Sequence, residues 1–469
     1  MSMRSWVIII STVLLCACNT TSPDEIIDGI LEVPENRQNP DSKTLKLVYK
    51  VLKAKKADSL KAPIVYLQGG PGGATLIMEE FWENHALRND RDIVLMDQRG
   101  TGASEANCIE IGNAMFAISR QDLDNEGEIR ALNAVLSECK ETMKQDGVDL
   151  AGYTSKENAA DFEDLRKALG YEKWNLFGVS YGSRLGLTIM RDFPNGVRSA
   201  VLAGILAPET DFINDYFQNF ENSLLTVLER CEKNEDCNNR YPNSKERLLK
   251  ALKKLQSDPL HFDYDGKPFV LNPQDAFLVL FLSLYDRHSM GNIPLLIEAL
   301  ENGETKPLVN AIKGIEYLYT VINWPINYSV TTYEELPFYD ELTMVESLER
   351  SEIAVNLPLL SSDLGIELLN NWHSHRASEL ENQAVVSEIP TLMASGGLDH
   401  VTPISNATEA LKHLKNGYEL IFSDEGHSLY NPCFFQITED FLNNPFHKPD
   451  LGCSSIRKPL EWNLLKPVQ

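Results

Sequence analysis

Ser180 lies in Gly178-Val179-Ser180-Tyr181-Gly182, between the apolar run Trp174 to Gly178 and a stretch of helical period over residues 181–193. A serine held on so tight a strand-to-helix turn presents its hydroxyl for attack, and bulk at either glycine would strike the neighbouring backbone. The following helix aims its N-terminus at the reacting centre and favours negative charge there. A serine hydroxyl needs a base, and the base needs an acid that orients it. Gly396-Gly397-Leu398-Asp399 and Glu425-Gly426-His427-Ser428 each follow an apolar run, so Asp399 and His427 arrive in the order Ser, Asp, His. The chemistry this predicts is acyl transfer, with Ser180 as nucleophile, His427 as base and Asp399 as orienting acid. His400, His373 and His375 compete for the base among nine histidines. Asp424 competes for the acid, but it stands too close to His427 on the same turn to orient it well.

Acyl transfer also needs donors aimed at the developing oxyanion. The N–H of Tyr181 follows the nucleophile directly. The loop Gln68-Gly69-Gly70-Pro71-Gly72-Gly73 lets the backbone approach a substrate, and Gly70 N–H is the expected second donor. The same loop lacks the Lys-Ser/Thr of a phosphate-binding loop. Asp97 and Arg99 read as an ion pair shaping the turn beneath the site. None of these steps calls for a metal or an organic cofactor.

Short apolar runs must position these groups. Pro63–Leu67, Asp92–Met96, Trp174–Gly178, Ser199–Ala203, Pro390–Ala394 and Tyr418–Phe422 alternate with helix-like sequence, and residues 44–53 alternate as an edge strand. Strands alternating with helices predict an α/β class with a mostly parallel central sheet flanked by helices. From about residue 206 to 375 the apolar spacing turns helical, which predicts an inserted, mostly helical cap. The expected division is a leader over 1–17, a tether over 18–30, a core over 31–205, the cap over 206–375 and the rest of the core over 376–469.

With 469 residues, 43% of them hydrophobic, the chain can bury a large core. A net charge of −25 repels nucleic acid and anionic lipid, so nucleic acid is excluded as a partner. Arg4 precedes a short apolar run, Val7 to Leu15, too short to span a bilayer. Leu15-Cys16-Ala17-Cys18 resembles the bacterial lipobox, which implies export and a membrane anchor through lipid on Cys18; a plain secretory leader is the competing reading. Asn19 after it, in place of Asp, implies the outer membrane. Six further cysteines in an exported chain imply disulfides. They fall as local couples, Cys108 with Cys139, Cys231 with Cys237, and Cys433 with Cys453, although sequence alone leaves other pairings open. A zinc site lacks the usual ligand spacing.

Several motifs together resemble one family. Gln68-Gly69-Gly70-Pro71-Gly72 resembles the HGGPG loop of proline iminopeptidases and tripeptidyl aminopeptidases, and Asp97-Gln98-Arg99-Gly100-Thr101-Gly102-Ala103-Ser104 resembles their DQRGxGxS segment. Lys173 to Ser183 is similar to the nucleophile elbow of the tripeptidyl branch, and residues 390–453 to its C-terminal region. The resemblance implies the α/β-hydrolase fold, no cofactor, and a serine exopeptidase acting near the free N-terminus of short peptides. It also implies that cap carboxylates bind the substrate amine, with Glu209, Asp211 and Asp215 as candidates by position. Three departures stand out: Gln68 replaces His, Tyr181 stands where proline-specific relatives carry Trp, and Ala203-Gly204 replaces Asp-Gly. An esterase or lipase using the same triad, and a non-catalytic peptide-binding lipoprotein, are the alternatives.

Overall fold

The computed structural model describes residues 25–56, 61–354 and 365–465. The expected leader and Cys18, the expected lipid acceptor, therefore lie outside the described residues, and the tether expected over 18–30 gives way to a strand at Ile26. The core is an eight-stranded sheet in the order β1-β2-β4-β3-β5-β6-β9-β10. Its strands are β1 (Ile26–Pro34), β2 (Thr44–Leu52), β3 (Ile64–Leu67), β4 (Ile93–Met96), β5 (Trp174–Val179), β6 (Val197–Ala203), β9 (Thr391–Gly396) and β10 (Gly417–Phe422). β7 (Leu260–Tyr264) and β8 (Lys267–Leu271) form a separate hairpin in the insertion. β1 and β2 make an antiparallel edge, and β2 meets β4 antiparallel; every other pairing within this sheet is parallel.

The central strands are apolar on both faces because both faces are covered. Val65 and Leu67 of β3 pack with Phe162, Leu165, Leu185 and Ile189 of the helices Ser155–Ala168 and Tyr181–Asp192. Ile64 and Tyr66 face the other way, against Trp82, Phe434, Ile437 and Phe441. The result is a helix–sheet–helix sandwich with the strand C-termini at one edge, where open parallel sheets carry their sites.

The insertion has its own core, built by the helices Phe212–Lys233, Ser244–Leu255, Pro273–Ser283, Ile293–Asn302 and Thr305–Val321. The hairpin packs on it through Tyr264, Phe269 and Leu271. It turns on Asp265-Gly266, both at positive φ, as a tight two-residue hairpin turn requires.

Residues 111–145 fall within the segment read as core, yet they pack on the cap. The helix Ile111–Ser119 contacts Thr305–Val321, and Asn125–Gln145 contacts Ile366–Trp372. Met115, Leu136 and Met143 share one apolar cluster with Tyr328, Met344 and Trp372. The cap is thus assembled from two separate stretches of chain. Disulfides join Cys108–Cys139, Cys231–Cys237 and Cys433–Cys453, the three local couples. Residues near 463 strap the cap from outside: Tyr241 OH donates to Asn463 O at 2.6 Å, and Asn463 N to Gly291 O at 3.0 Å. Among the described residues no helix is long and apolar enough to cross a membrane.

The expected Asp97–Arg99 ion pair does not form. Asp97 is saturated by the backbone N–H groups of Thr75, Leu76 and Ala103 at 2.7–2.9 Å. Arg99, fully buried, makes a two-pronged pair with Asp161 at 2.7 Å and also donates to the carbonyls of Glu35 and Gly152. Each charge finds a better partner than its near neighbour. Both still shape the ground beneath the site, but separately.

Candidate active site

Ser180 sits between β5 and the helix Tyr181–Asp192 at φ +54°, ψ −126°. A non-glycine residue there carries strain of about 1–3 kcal/mol, and the surroundings must hold it. They do: Ser180 N donates to Ala203 O at 2.9 Å, and Ser180 O accepts from Ser183 N at 2.7 Å and Ser183 Oγ at 2.6 Å. The glycines have a steric reason. A Cβ on Gly178 would lie 2.3 Å from Gly182 O, and one on Gly182 would lie 2.0 Å from Leu67 O.

Asp399 follows β9 and His427 follows β10, each in the loop beyond its strand. Asp399 Oδ1 accepts from Val401 N at 2.9 Å and Thr402 N at 2.8 Å. Its Oδ2 accepts from Thr402 Oγ1 at 2.6 Å and from His427 Nδ1 at 2.9 Å. Burial alone would raise the Asp399 carboxyl; the charge and hydrogen bond of His427, with the Thr402 donors, hold it below its usual value. The imidazole is confined further. A Cβ on Gly204 would lie 2.9 Å from His427 Cε1, and the ring of Tyr285 meets it edge-on with centroids 5.3 Å apart. The Ala203-Gly204 departure therefore keeps the glycine that the histidine needs.

The rival histidines and the rival acid have other roles. His400 is buried among Phe281 and Tyr285 with neither ring nitrogen hydrogen-bonded, and burial pushes it down to about 3, so it stays neutral. Burial likewise lowers His373 to about 4, and its Nε2 lies 3.0 Å from Ser329 O. Its neighbour His375 is exposed, 5.3 Å away ring to ring. Asp424 pairs at 2.9 Å with Arg230 of the cap and with Arg457 of the tail. His427 is the histidine that shares a cavity with Ser180.

The glycine loop rests on the nucleophile, since a Cβ on Gly69 would lie 3.0 Å from Ser180 Cβ. Gln68 braces it: Oε1 accepts from Tyr66 OH at 2.9 Å and from Gly69 N at 3.0 Å. The change from His at this position is thus absorbed by a Tyr66 bond behind the loop. Gly70 and Tyr181, the expected oxyanion donors, line one cavity with Ser180. The Tyr181 side chain turns inward, its hydroxyl 2.8 Å from Ser155 Oγ.

Two cavities flank Ser180. The larger, about 380 Å³, has a roof of cap residues that includes Phe212, Tyr216, Phe281, Leu318 and Trp324, and no Asp or Glu lines it. The smaller, about 40 Å³, is lined by Gly70, Tyr181, Arg184, Glu334 and Glu335. Glu334 accepts from Ser155 N at 2.6 Å, Ser155 Oγ at 2.8 Å and Arg184 Nε at 2.8 Å; Arg184 Nη1 reaches Glu335 Oε1 at 2.6 Å. Burial pushes the Glu335 carboxyl up to about 7; Arg184 opposes this, and Glu334 adds to it. Glu209, Asp211 and Asp215 line neither cavity. Glu334 and Glu335 were hidden in the sequence by one fact: their cation is 150 residues upstream, in the helix after the nucleophile. A trace was visible, because two adjacent acids at a helix C-terminus oppose the helix dipole and call for a compensating charge.

Comparison with known proteins agrees with this geometry. A family model described as the alpha/beta hydrolase fold matches residues 62–240, and one described as TAP-like protein matches 361–453. The chain is 29% identical over 209 residues to the tripeptidyl aminopeptidase of Streptomyces lividans, a match covering 42% of this chain and 38% of that protein. It is 30% identical over 158 residues to the proline iminopeptidase of Neisseria gonorrhoeae, covering 33% of this chain and 36% of that one. A 22% identity extends over 92% of this chain and 89% of YuaR of Escherichia coli (strain K12), a protein named only as a hydrolase. The chain thus matches well under half the length of either named peptidase. Fold, elbow, Asp–His pair and both matched segments agree: the chain is an α/β-hydrolase, similar in its matched segments to tripeptidyl aminopeptidases and proline iminopeptidases.

Proposed function

We propose that the protein is a serine exopeptidase that cleaves short peptides near a free N-terminus. The observation that carries this reading is the roof over Ser180. Cap residues Phe212, Tyr216, Leu318 and Trp324 wall the cavity, so a chain end enters where a folded loop is excluded. His427 takes the Ser180 proton as the oxygen attacks the carbonyl, and the N–H groups of Gly70 and Tyr181 receive the oxyanion. Protonated His427 then passes its proton to the leaving amine, and water releases the acyl group by the same route. Asp399 fixes the imidazole and stabilises its cation. Glu334 and Glu335, beside the nucleophile, supply the negative charge that an N-terminal ammonium needs. Lipid on Cys18 would place this activity outside the cytoplasm; the three disulfides support an oxidising compartment.

An esterase reading is favoured by one observation, the apolar lining of the larger cavity. Matched aminoacyl and tripeptidyl arylamides, with free and acetylated N-termini, beside acyl nitrophenyl esters separate the two. The expected result is amide turnover that needs the free amine and falls by about a millionfold in Ser180→Ala. Turnover of esters alone sinks the peptidase reading.

A further inference from the structure

We infer that the enzyme selects substrates whose side chain next to the scissile carbonyl is large and apolar, and that the cap wall around Leu318 and Val321 makes the selection. This rests on Ser180 as the nucleophile and deepens the proposed function.

The smaller cavity at Ser180, about 40 Å³, holds little more than one water-sized group. It can receive an ammonium but no large side chain. A bulky side chain on the attacked residue must therefore enter the larger cavity, about 380 Å³.

That cavity offers a charged side chain nothing. Phe212, Tyr216, Phe281, Leu318, Val321 and Trp324 face it, and none of its lining residues is Asp, Glu, Lys or Arg. Several of its polar side chains already have partners. The Gln68 amide bonds Ala74 O at 3.3 Å, while its oxygen accepts from Tyr66 and Gly69. Asn327 Nδ2 donates to Pro71 O at 3.0 Å, and the Tyr430 hydroxyl lies 3.0 Å from that of Tyr66. An ionised side chain entering here would lose its water without a counter-charge, which is among the costliest exchanges a site can impose. An aromatic or branched aliphatic side chain loses nothing and buries its area against rings already stacked in place, such as Tyr216 on Phe281 at 5.1 Å.

The test is a series of tripeptidyl arylamides that differ only in the residue before the arylamide: Phe, Leu, Ala, Lys and Asp. The expected kcat/KM order is Phe and Leu above Ala, with Lys and Asp lower than Leu on the order of a hundredfold. Lys or Asp substrates within about threefold of Leu overturn the inference. Leu318→Lys and Val321→Lys, both at partly exposed positions, should each raise the Asp-to-Leu ratio by at least about tenfold. An unchanged ratio in two folded variants overturns the role given to this wall. The same side chains presented as esters keep the two readings apart. Ester-only turnover with the apolar order intact sinks the peptidase and leaves the selection standing; amide turnover without that order does the reverse.

Discussion

The α/β core and the cap hold their functional groups by different means. In the core, Ser180, Asp399 and His427 each stand just beyond a strand whose backbone register fixes where the chain emerges. In the cap, the groups that line the cavity are side chains on helices, placed by side-chain packing rather than by strand pairing. Reaction and selection therefore rest on separable supports. The two regions meet at the histidine loop. Ser428 N donates to Tyr285 O at 2.8 Å, a Cβ on Gly426 would strike Leu284 O at 2.4 Å, and Arg230 of the cap holds Asp424.

Substitutions can break this division or sharpen it. Asp399→Asn, in the core, should lower kcat by about ten-thousandfold while leaving the order of preferred substrates intact; stopped assays across the arylamide series check both. A changed order would mean that the core also selects. Arg184→Met crosses the boundary. It strips the counter-charge from two buried cap carboxylates and should cost about 3–5 kcal/mol in urea unfolding, more than any rim substitution in the cap. Replacing Cys108 and Cys139 together by Ser opens a loop of 31 residues within the cap. Loop entropy puts the loss at about 3–4 kcal/mol, read as a lower melting temperature, with the reaction on small esters retained below it.

The smallest effect is one of pH, and its sign differs between the regions. Glu335 is held up to about 7 from an ordinary 4.5, so the folded protein keeps a proton that the unfolded chain releases. Stability then falls as pH rises from 4.5 to 7, and Glu335→Gln should shrink the difference in urea midpoint between pH 5 and pH 8. Asp399 is held below its ordinary 3.8. Its contribution is complete above that value and is lost as acid takes the pH down through the depressed one.

The same contrast explains what could be read from the chain alone. The core was legible because each residue of the proposed triad is tied to a short apolar run and a glycine signature within a few positions. The disulfide partners were legible as near neighbours. Arg184 with Glu334 and Glu335 was not, because a pair joined across the fold leaves no local pattern. The helices of 111–145 show which of their faces is buried but not against what, and so they passed for core. The hairpin over Leu260–Leu271 does alternate around an Asp-Gly turn, yet the helical periods on both sides mask five-residue strands. Asp97 and Arg99 show the opposite error, in which closeness in sequence suggested a bond that three-dimensional packing gave to Asp161.

The two-part origin of the cap bears on how its preference can be inherited or grafted. A cassette of residues 206–375 moved into another member of the family would leave behind Met115, Leu136 and Met143, the counterpart of its own Tyr328, Met344 and Trp372. The recipient would gain the cavity wall and lose its foundation. Chimeras that carry 105–150 along with 206–375 are the ones in which specificity should travel with the graft, and the Cys108–Cys139 bridge makes that first segment a self-contained part to move.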